Sequence, residues 1–412
     1  VDAGFLMNAF TGMGVRPKIR VLIVDDSAIV RKILTETIDA EPDMEVVGTA
    51  PDPYVARDKI LALKPDVLTL DIEMPRMNGL QFLTKLMQFH PMPVIIISSL
   101  AQSSCEISLE AMRLGAVDVL AKPGGPYSIG ELRETLPAKL RVAASARLRP
   151  KAATAAQLRD ADVAAGLIPA TSSLVAPPVG SANAVIPQEP PFGRMQASAL
   201  QASGNVAKEP LVLSPAGMRF HPEMLLAIGA STGGTEAIHD VLVRLPRETP
   251  GIVITQHIPK SFSGPFAQRL NRDCAIEVRE ACDGDEIRRG LALVAPGDQH
   301  MVIRRSGGRY LVQLQNGPKV CYQRPAVDVM FASVAAAATR FAVGVLLTGM
   351  GTDGAQGLLL MRKAGAMTLA QDEATCVVFG MPREAFRMGA VERLLPLPSI
   401  SAALIQGAAR RL

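Results

Sequence analysis

Residues 226–238 read LAIGASTGGTEAI. An apolar run enters a glycine-rich turn with Ser231 at its middle, and a helical pattern follows. Gly229 to Gly233 fits G-x-S-x-G, a tight strand-to-helix corner whose small residues push the serine hydroxyl out at the strand's carboxyl end. A helix starting near Thr232 would aim free N–H groups at the same spot, where they could stabilise an oxyanion or cradle a phosphate. The Walker pattern needs Gly-Lys-Ser/Thr, and no lysine follows. The dinucleotide pattern needs glycine where Ser231 stands. The motif by itself leaves a plain structural corner and the seat of a nucleophile both open.

The rest of 221–412 alternates in the same way. Strand-like runs fall at 225–230, 251–257, 291–296, 310–315, 342–348 and 366–372, and helical patterns at 235–245, 326–338 and 354–364. This reads as an α/β domain with an antiparallel insertion around 276–316. Residues 18–140 show five β-α units with continuous apolar strands, which a parallel sheet covered on both faces requires. The expected fold is therefore two doubly wound parallel-sheet α/β domains. Between them, 141–220 loses its periodicity and is rich in Ala, Pro, Ser and Gln, as a flexible linker is. Residues 1–17, with Met7 and Met13 among them, read as an N-terminal extension.

Bulk properties narrow the function. No apolar run approaches the roughly 18 residues of a membrane-spanning helix, and no secretory pattern opens the chain. The five cysteines are scattered without C-x-x-C spacing, which argues against a disulfide framework and a zinc knuckle. A cytoplasmic protein without membrane insertion is expected. The net charge of +4 does not by itself point to nucleic acid.

A serine needs a base. Of five histidines, His90, His221 and His239 sit in uninformative places. His257 ends the strand GIVITQH and shares a sheet edge with Ser231 if the two strands are neighbours. His300, after a turn, is the weaker candidate. The base needs an orienting carboxylate. Asp353, in LLTGMGTDGA, follows an apolar strand and a glycine-rich turn, and it also suits a helix N-cap. The N–H of Met350 could approach a substrate oxygen there. The order Ser, His, Asp differs from that of α/β-hydrolases.

In the first domain, charge gathers at strand ends: Asp25-Asp26, Asp71 and Lys122, with Ser98 at a fourth. Converging carboxylates need a counter-charge, and an all-oxygen site suits Mg²⁺. A carboxylate beside a cation and a lysine can attack a phosphoryl donor.

These segments carry a resemblance. VDDS, DIEMPRMNG, a Ser/Thr after the fourth strand and AKP resemble the response-regulator receiver domain. That resemblance implies Asp71 as phosphoacceptor, Asp25, Asp26 and Asp71 as Mg²⁺ ligands, and Ser98 and Lys122 as switch residues. Val119 stands where many receivers carry an aromatic. GASTGGTEAI, TQHIP, APGDQHM, RPAVDVMF and LLTGMGTDGAQG look like the chemotaxis methylesterase domain, and the whole chain resembles the family of protein-glutamate methylesterases/glutamine deamidases of bacterial chemotaxis. By resemblance, Ser231 is the nucleophile, His257 the base and Asp353 the orienting acid, with oxyanion donors near Thr232 and Met350. The reaction would need no cofactor. The substrates would be methyl-accepting chemotaxis receptors, and the phosphodonor the histidine kinase of the receptor array.

Rival readings are a DNA-binding output, a metallohydrolase using His257, His300 and Asp353, and a non-catalytic docking module. No helix-turn-helix pattern supports the first, and no H-E-x-x-H or comparable ligand spacing the second.

Overall fold

A computed structural model describes residues 18–74, 77–99, 102–123, 126–146 and 219–410. The extension expected at 1–17 and nearly all of the linker expected at 141–220 lie outside the described residues.

The N-terminal part runs β1 (Ile19–Val24), α1 (Ala28–Asp39), β2 (Met44–Ala50), α2 (Pro53–Leu63), β3 (Val67–Asp71), α3 (Gly79–Phe89), β4 (Val94–Ser98), α4 (Gln102–Leu114), β5 (Asp118–Ala121) and α5 (Pro126–Ser145). Local chemistry starts the helices. Ser27, Asp52 and Asn78 cap α1, α2 and α3 with side-chain oxygens, and Pro53 occupies the first turn of α2. The strands are parallel in the order β2-β1-β3-β4-β5. Strand order reverses at β1, so the carboxyl ends of β1 and β3 flank the crevice where open α/β sheets bind ligands.

The C-terminal part contains β6 (Leu225–Ala230), α6 (Gly234–Leu242), β7 (Gly251–Gln256), α7 (Lys260–Asp273), β8 (Glu277–Glu280), β9 (Glu286–Ile287), β10 (Leu291–Val294), β11 (His300–Ser306), β12 (Arg309–Gln315), α8 (Val327–Ala338), β13 (Ala342–Leu346), α9 (Ala355–Lys363), β14 (Met367–Gln371), α10 (Met381–Arg387), β15 (Arg393–Leu395) and α11 (Leu397–Ala409). Seven of these strands form a sheet in the order β15-β14-β13-β6-β7-β10-β8, with every described pairing parallel. The antiparallel insertion expected over 276–316 is smaller than that. β8 and β10 extend the parallel sheet, and only β9, β11 and β12 form the separate antiparallel sheet. The reason is burial: all of β10 is buried under the main sheet's cover, whereas β11 and β12 alternate.

The central strands β6, β7 and β13 are buried along their whole length. Strand order reverses at β6, between β13 and β7. The carboxyl ends of these three neighbours therefore converge at one sheet edge.

Candidate active site

Register sets the site. Ala230 of β6 stands beside Gln256 of β7, and Gly229 beside Leu346 of β13. The residues one step beyond these ends are Ser231 and His257, and the loop after β13 leads to Asp353. The three strand ends whose adjacency the sequence left open are consecutive in the sheet.

The turn at Ser231 is held from several sides. Its N–H donates to the Thr348 carbonyl at 3.0 Å, and its carbonyl accepts from Gly234 N–H at 2.7 Å. Gln256 Nε2 donates to the same carbonyl at 2.8 Å and to that of His257 at 3.2 Å. Gly233, at φ +75°, takes a conformation that L side chains rarely adopt, and a Cβ there would lie 2.7 Å from Val377. A Cβ on Gly349 would lie 2.7 Å from Ser231 Cβ, so the 349–353 loop touches the serine directly.

His257 and Asp353 are paired. His257 Nε2 lies 2.7 Å from Asp353 Oδ2, and both side chains are buried, at 6% and 2% exposure. Asp353 also accepts the N–H groups of Val327 at 2.7 Å and Asp328 at 2.8 Å, at the start of α8. Helix dipole and hydrogen bonds together suit an ionised carboxylate. Because a carboxylate only accepts, it fixes the proton on Nε2 and leaves Nδ1 as an acceptor. Nδ1 is buried with no hydrogen-bond partner among the described residues, so no hydrogen bond joins it to Ser231. Such bonds are often long before substrate binds. A serine, an imidazole and a buried carboxylate in this order can perform acyl transfer.

The remaining expected residues fall in distinct places. Met350 is 40% exposed on the loop beside Ser231. Thr232 is buried, and its hydroxyl donates to Asp118 of β5 at 2.7 Å. His300 is also buried, with Nε2 2.9 Å from the Pro318 carbonyl and Nδ1 accepting from Ala326 N–H at 3.2 Å. It orders the loop ahead of α8 and lies outside the serine constellation. The sequence reading missed Gln256, Thr348 and Asp328. The Gln-His pair at the end of an apolar strand was the available signal for Gln256.

The two sheets meet at this edge. Besides the Thr232–Asp118 bond, Arg269 of α7 donates to the Leu109 carbonyl of α4 at 3.3 Å while pairing with Glu236 at 2.7 Å. A cavity of about 510 Å³ opens beside Met350, with Arg141 and Val142 of α5 on one wall and Phe379 and Arg383 on another.

A second cluster lies at the carboxyl ends of β1 and β3. Lys122 Nζ is 2.7 Å from Asp71 Oδ2 and 3.5 Å from Asp25 Oδ2. Asp25, Asp26 and Asp71 each place a carboxylate oxygen within 4.8 Å of the others. This all-oxygen set fits a hard divalent cation. Burial pushes the Asp71 carboxyl up to about 6 despite the Lys122 ammonium, and burial also raises Asp25. Ser98 is buried at the end of β4, and its carbonyl accepts from Lys122 N–H at 2.7 Å.

Known proteins share these features. The CheB methylesterase family matches residues 226–404, and the response regulator receiver domain family matches residues 21–134. A Syntrophus aciditrophicus protein named protein-glutamate methylesterase/protein-glutamine glutaminase 2 is 48% identical over 389 residues, spanning 94% of this chain and 99% of its own. A Pseudomonas aeruginosa protein of the same name is 48% identical over 395 residues, spanning 95% of this chain and 98% of its own. An Anaeromyxobacter dehalogenans relative, numbered 4 under that name, is 46% identical over 389 residues, spanning 94% of this chain and 95% of its own.

Proposed function

Since the chain belongs to the protein-glutamate methylesterase/protein-glutamine glutaminase family, we propose that Ser231, His257 and Asp353 carry out its hydrolysis. The enzyme removes γ-methyl esters from protein glutamates and deamidates protein glutamines, under the control of a receiver domain. The observation that supports this assignment of roles most strongly is the buried 2.7 Å pair of His257 Nε2 with Asp353, which leaves Nδ1 as the base.

In this reading Ser231 Oγ attacks the ester carbonyl carbon as Nδ1 of His257 takes its proton. Asp353 holds the ring's tautomer and steadies the imidazolium. The N–H groups of Ser231 and Gly349 are already engaged, by Thr348 and Val378. The oxyanion is therefore assigned to the N–H groups of Thr232 and Met350, each worth roughly 3–4 kcal/mol in such chemistry. His257 returns the proton to the departing methoxide oxygen, and methanol leaves a glutamyl-enzyme. Water, deprotonated by Nδ1, attacks that ester, and the carboxylate and Ser231 are released. A glutamine amide follows the same path and releases ammonia.

The substrates are chemoreceptors, and the phosphodonor is the histidine kinase of their array. Asp71 accepts the phosphoryl group. Asp25, Asp26 and Asp71 would hold Mg²⁺, which when bound would supply positive charge against the incoming phosphoryl group. Lys122 and Ser98 relay its arrival. The hydrolysis itself needs no cofactor. Among the described residues no helix is long and apolar enough to cross a membrane, and the protein acts in the cytoplasm.

Without phosphate, the bond between Thr232 and Asp118 and the packing of α4 on α7 keep a bulky protein substrate from the Ser231 edge. Phosphorylation shifts the equilibrium to an open arrangement. Ser231→Ala is expected to abolish methanol release from methylated receptor while leaving phosphorylation of Asp71 intact. Normal methanol release from that variant would remove Ser231 from the role.

A further inference from the structure

Val320 and Gln323 exchange backbone hydrogen bonds at 3.0 and 2.9 Å, which closes a two-residue hairpin with Cys321 at φ 49° and Tyr322 at φ 65°. Positive φ at both central positions is the geometry that Asn-Gly usually fills. Two L residues with full side chains sit there instead, at a cost in stability that glycine would avoid. Strain of this kind persists where the surroundings enforce it, and it gathers at functional sites.

The surroundings do enforce it. His300 holds the Pro318 carbonyl, and Arg324 donates both to Gly317 O at 2.8 Å and to Asp298 Oδ1 at 2.6 Å. Cys321 Sγ lies 3.9 Å from Thr352 Oγ1 and 4.0 Å from Asp328 Oδ2. The 349–353 loop therefore touches Ser231 through Gly349 at one end and this turn through Thr352 at the other. Held rigid at the rim, the turn displays Tyr322 at 93% exposure, the most exposed large apolar side chain among the described residues. Among the described residues no packing accounts for that ring.

We propose that Tyr322 is a specificity-determining residue that packs against the protein segment carrying the ester, and so adds affinity for that segment. This rests on the methylesterase reading above. A projecting ring has no concavity to hold a small molecule, but it matches a broad protein surface, and a rigid aromatic loses little entropy on contact. Met350, on the same loop as Thr352, is itself 40% exposed.

The test uses the full chain with a small phosphodonor and methylated receptor as substrate. Tyr322→Ala is expected to raise KM about tenfold with kcat within about twofold, because contact remote from the reacting atoms is made equally in ground and transition states. Tyr322→Phe should behave as wild type. Tyr322→Gly should lose the same affinity while its Tm rises, because glycine relieves the turn. An unchanged KM in the alanine and glycine variants would overturn the proposal, as would a fall in kcat at constant KM. A wild-type chain that releases no methanol would overturn the esterase reading and this proposal with it.

Discussion

The hydroxyl of Thr232 donates to Oδ2 of Asp118 across 2.7 Å, and Asp118 Oδ1 meets Lys139 Nζ at 2.6 Å. The residue after Ser231 is thus tied to the N-terminal sheet by a buried, charge-assisted bond. Hydrogen bonds to charged groups contribute roughly 1.5–3 kcal/mol. Asp118→Ala should loosen the closed arrangement and raise methanol release without phosphodonor by about tenfold. An initial-rate assay on the unphosphorylated full chain checks it, and an unchanged rate would show that this bond does not restrain the site.

Gly349 is required by space. A Cβ there would meet Met381 Sδ at 2.3 Å and Ser231 Cβ at 2.7 Å. Gly349→Ala should displace the serine, lowering kcat by about 100-fold and stability by roughly 1–3 kcal/mol. Steady-state kinetics beside a urea melt distinguish the two effects, and a variant with wild-type kcat would contradict the contact.

Asp328 gives a pH signature. Burial pushes its carboxyl up to about 6, against the partial compensation of the Gly357 N–H. The unfolded value is about 3.9, so the native state holds this proton more tightly. The contribution is fully present below about pH 4 and is lost as pH rises through about 6. Asp328→Asn stays neutral throughout. Its stability relative to wild type should therefore grow between about pH 4 and pH 7, by up to about 3 kcal/mol. Urea melts at both ends of that window measure the difference, and a constant gap would refute it.

Much of this architecture was legible in the residues, for physical reasons. β1 and β6 coincide with the apolar runs at 19–24 and 225–230, because parallel strands covered on both faces need nearly continuous apolar sequence, whereas β2 matches 44–50 as an edge strand that is half-buried along its middle. β8, with the sequence EVRE, carries three charges and pairs only with β10 at the sheet edge, so nothing in its pattern separates it from the antiparallel insertion expected over 276–316. β15, three residues long, is too short to show a period. Ser231 and His257 stood out because each directly follows the end of an apolar strand, and Asp353 because it closes the glycine-rich loop between β13 and α9. Asp118 did not. Its partner Thr232 is 114 positions away, and in sequence an aspartate opening a strand cannot be distinguished from a solvated one. Gln256 carried only the weak signal of a polar residue beside His257 at a strand end, and its hydrogen bonds to the Ser231 turn are what give it a role.

The central claim is that a Ser231 esterase is restrained by its receiver and released when Asp71 is phosphorylated. Its most direct test is the initial rate of methanol release from methylated receptor by the full chain, with and without a small phosphodonor in the presence of Mg²⁺. The account predicts release in both conditions and an increase of at least about tenfold with phosphodonor, within the usual range of coupling between sites. Equal rates in the two conditions, or no methanol in either, would contradict it.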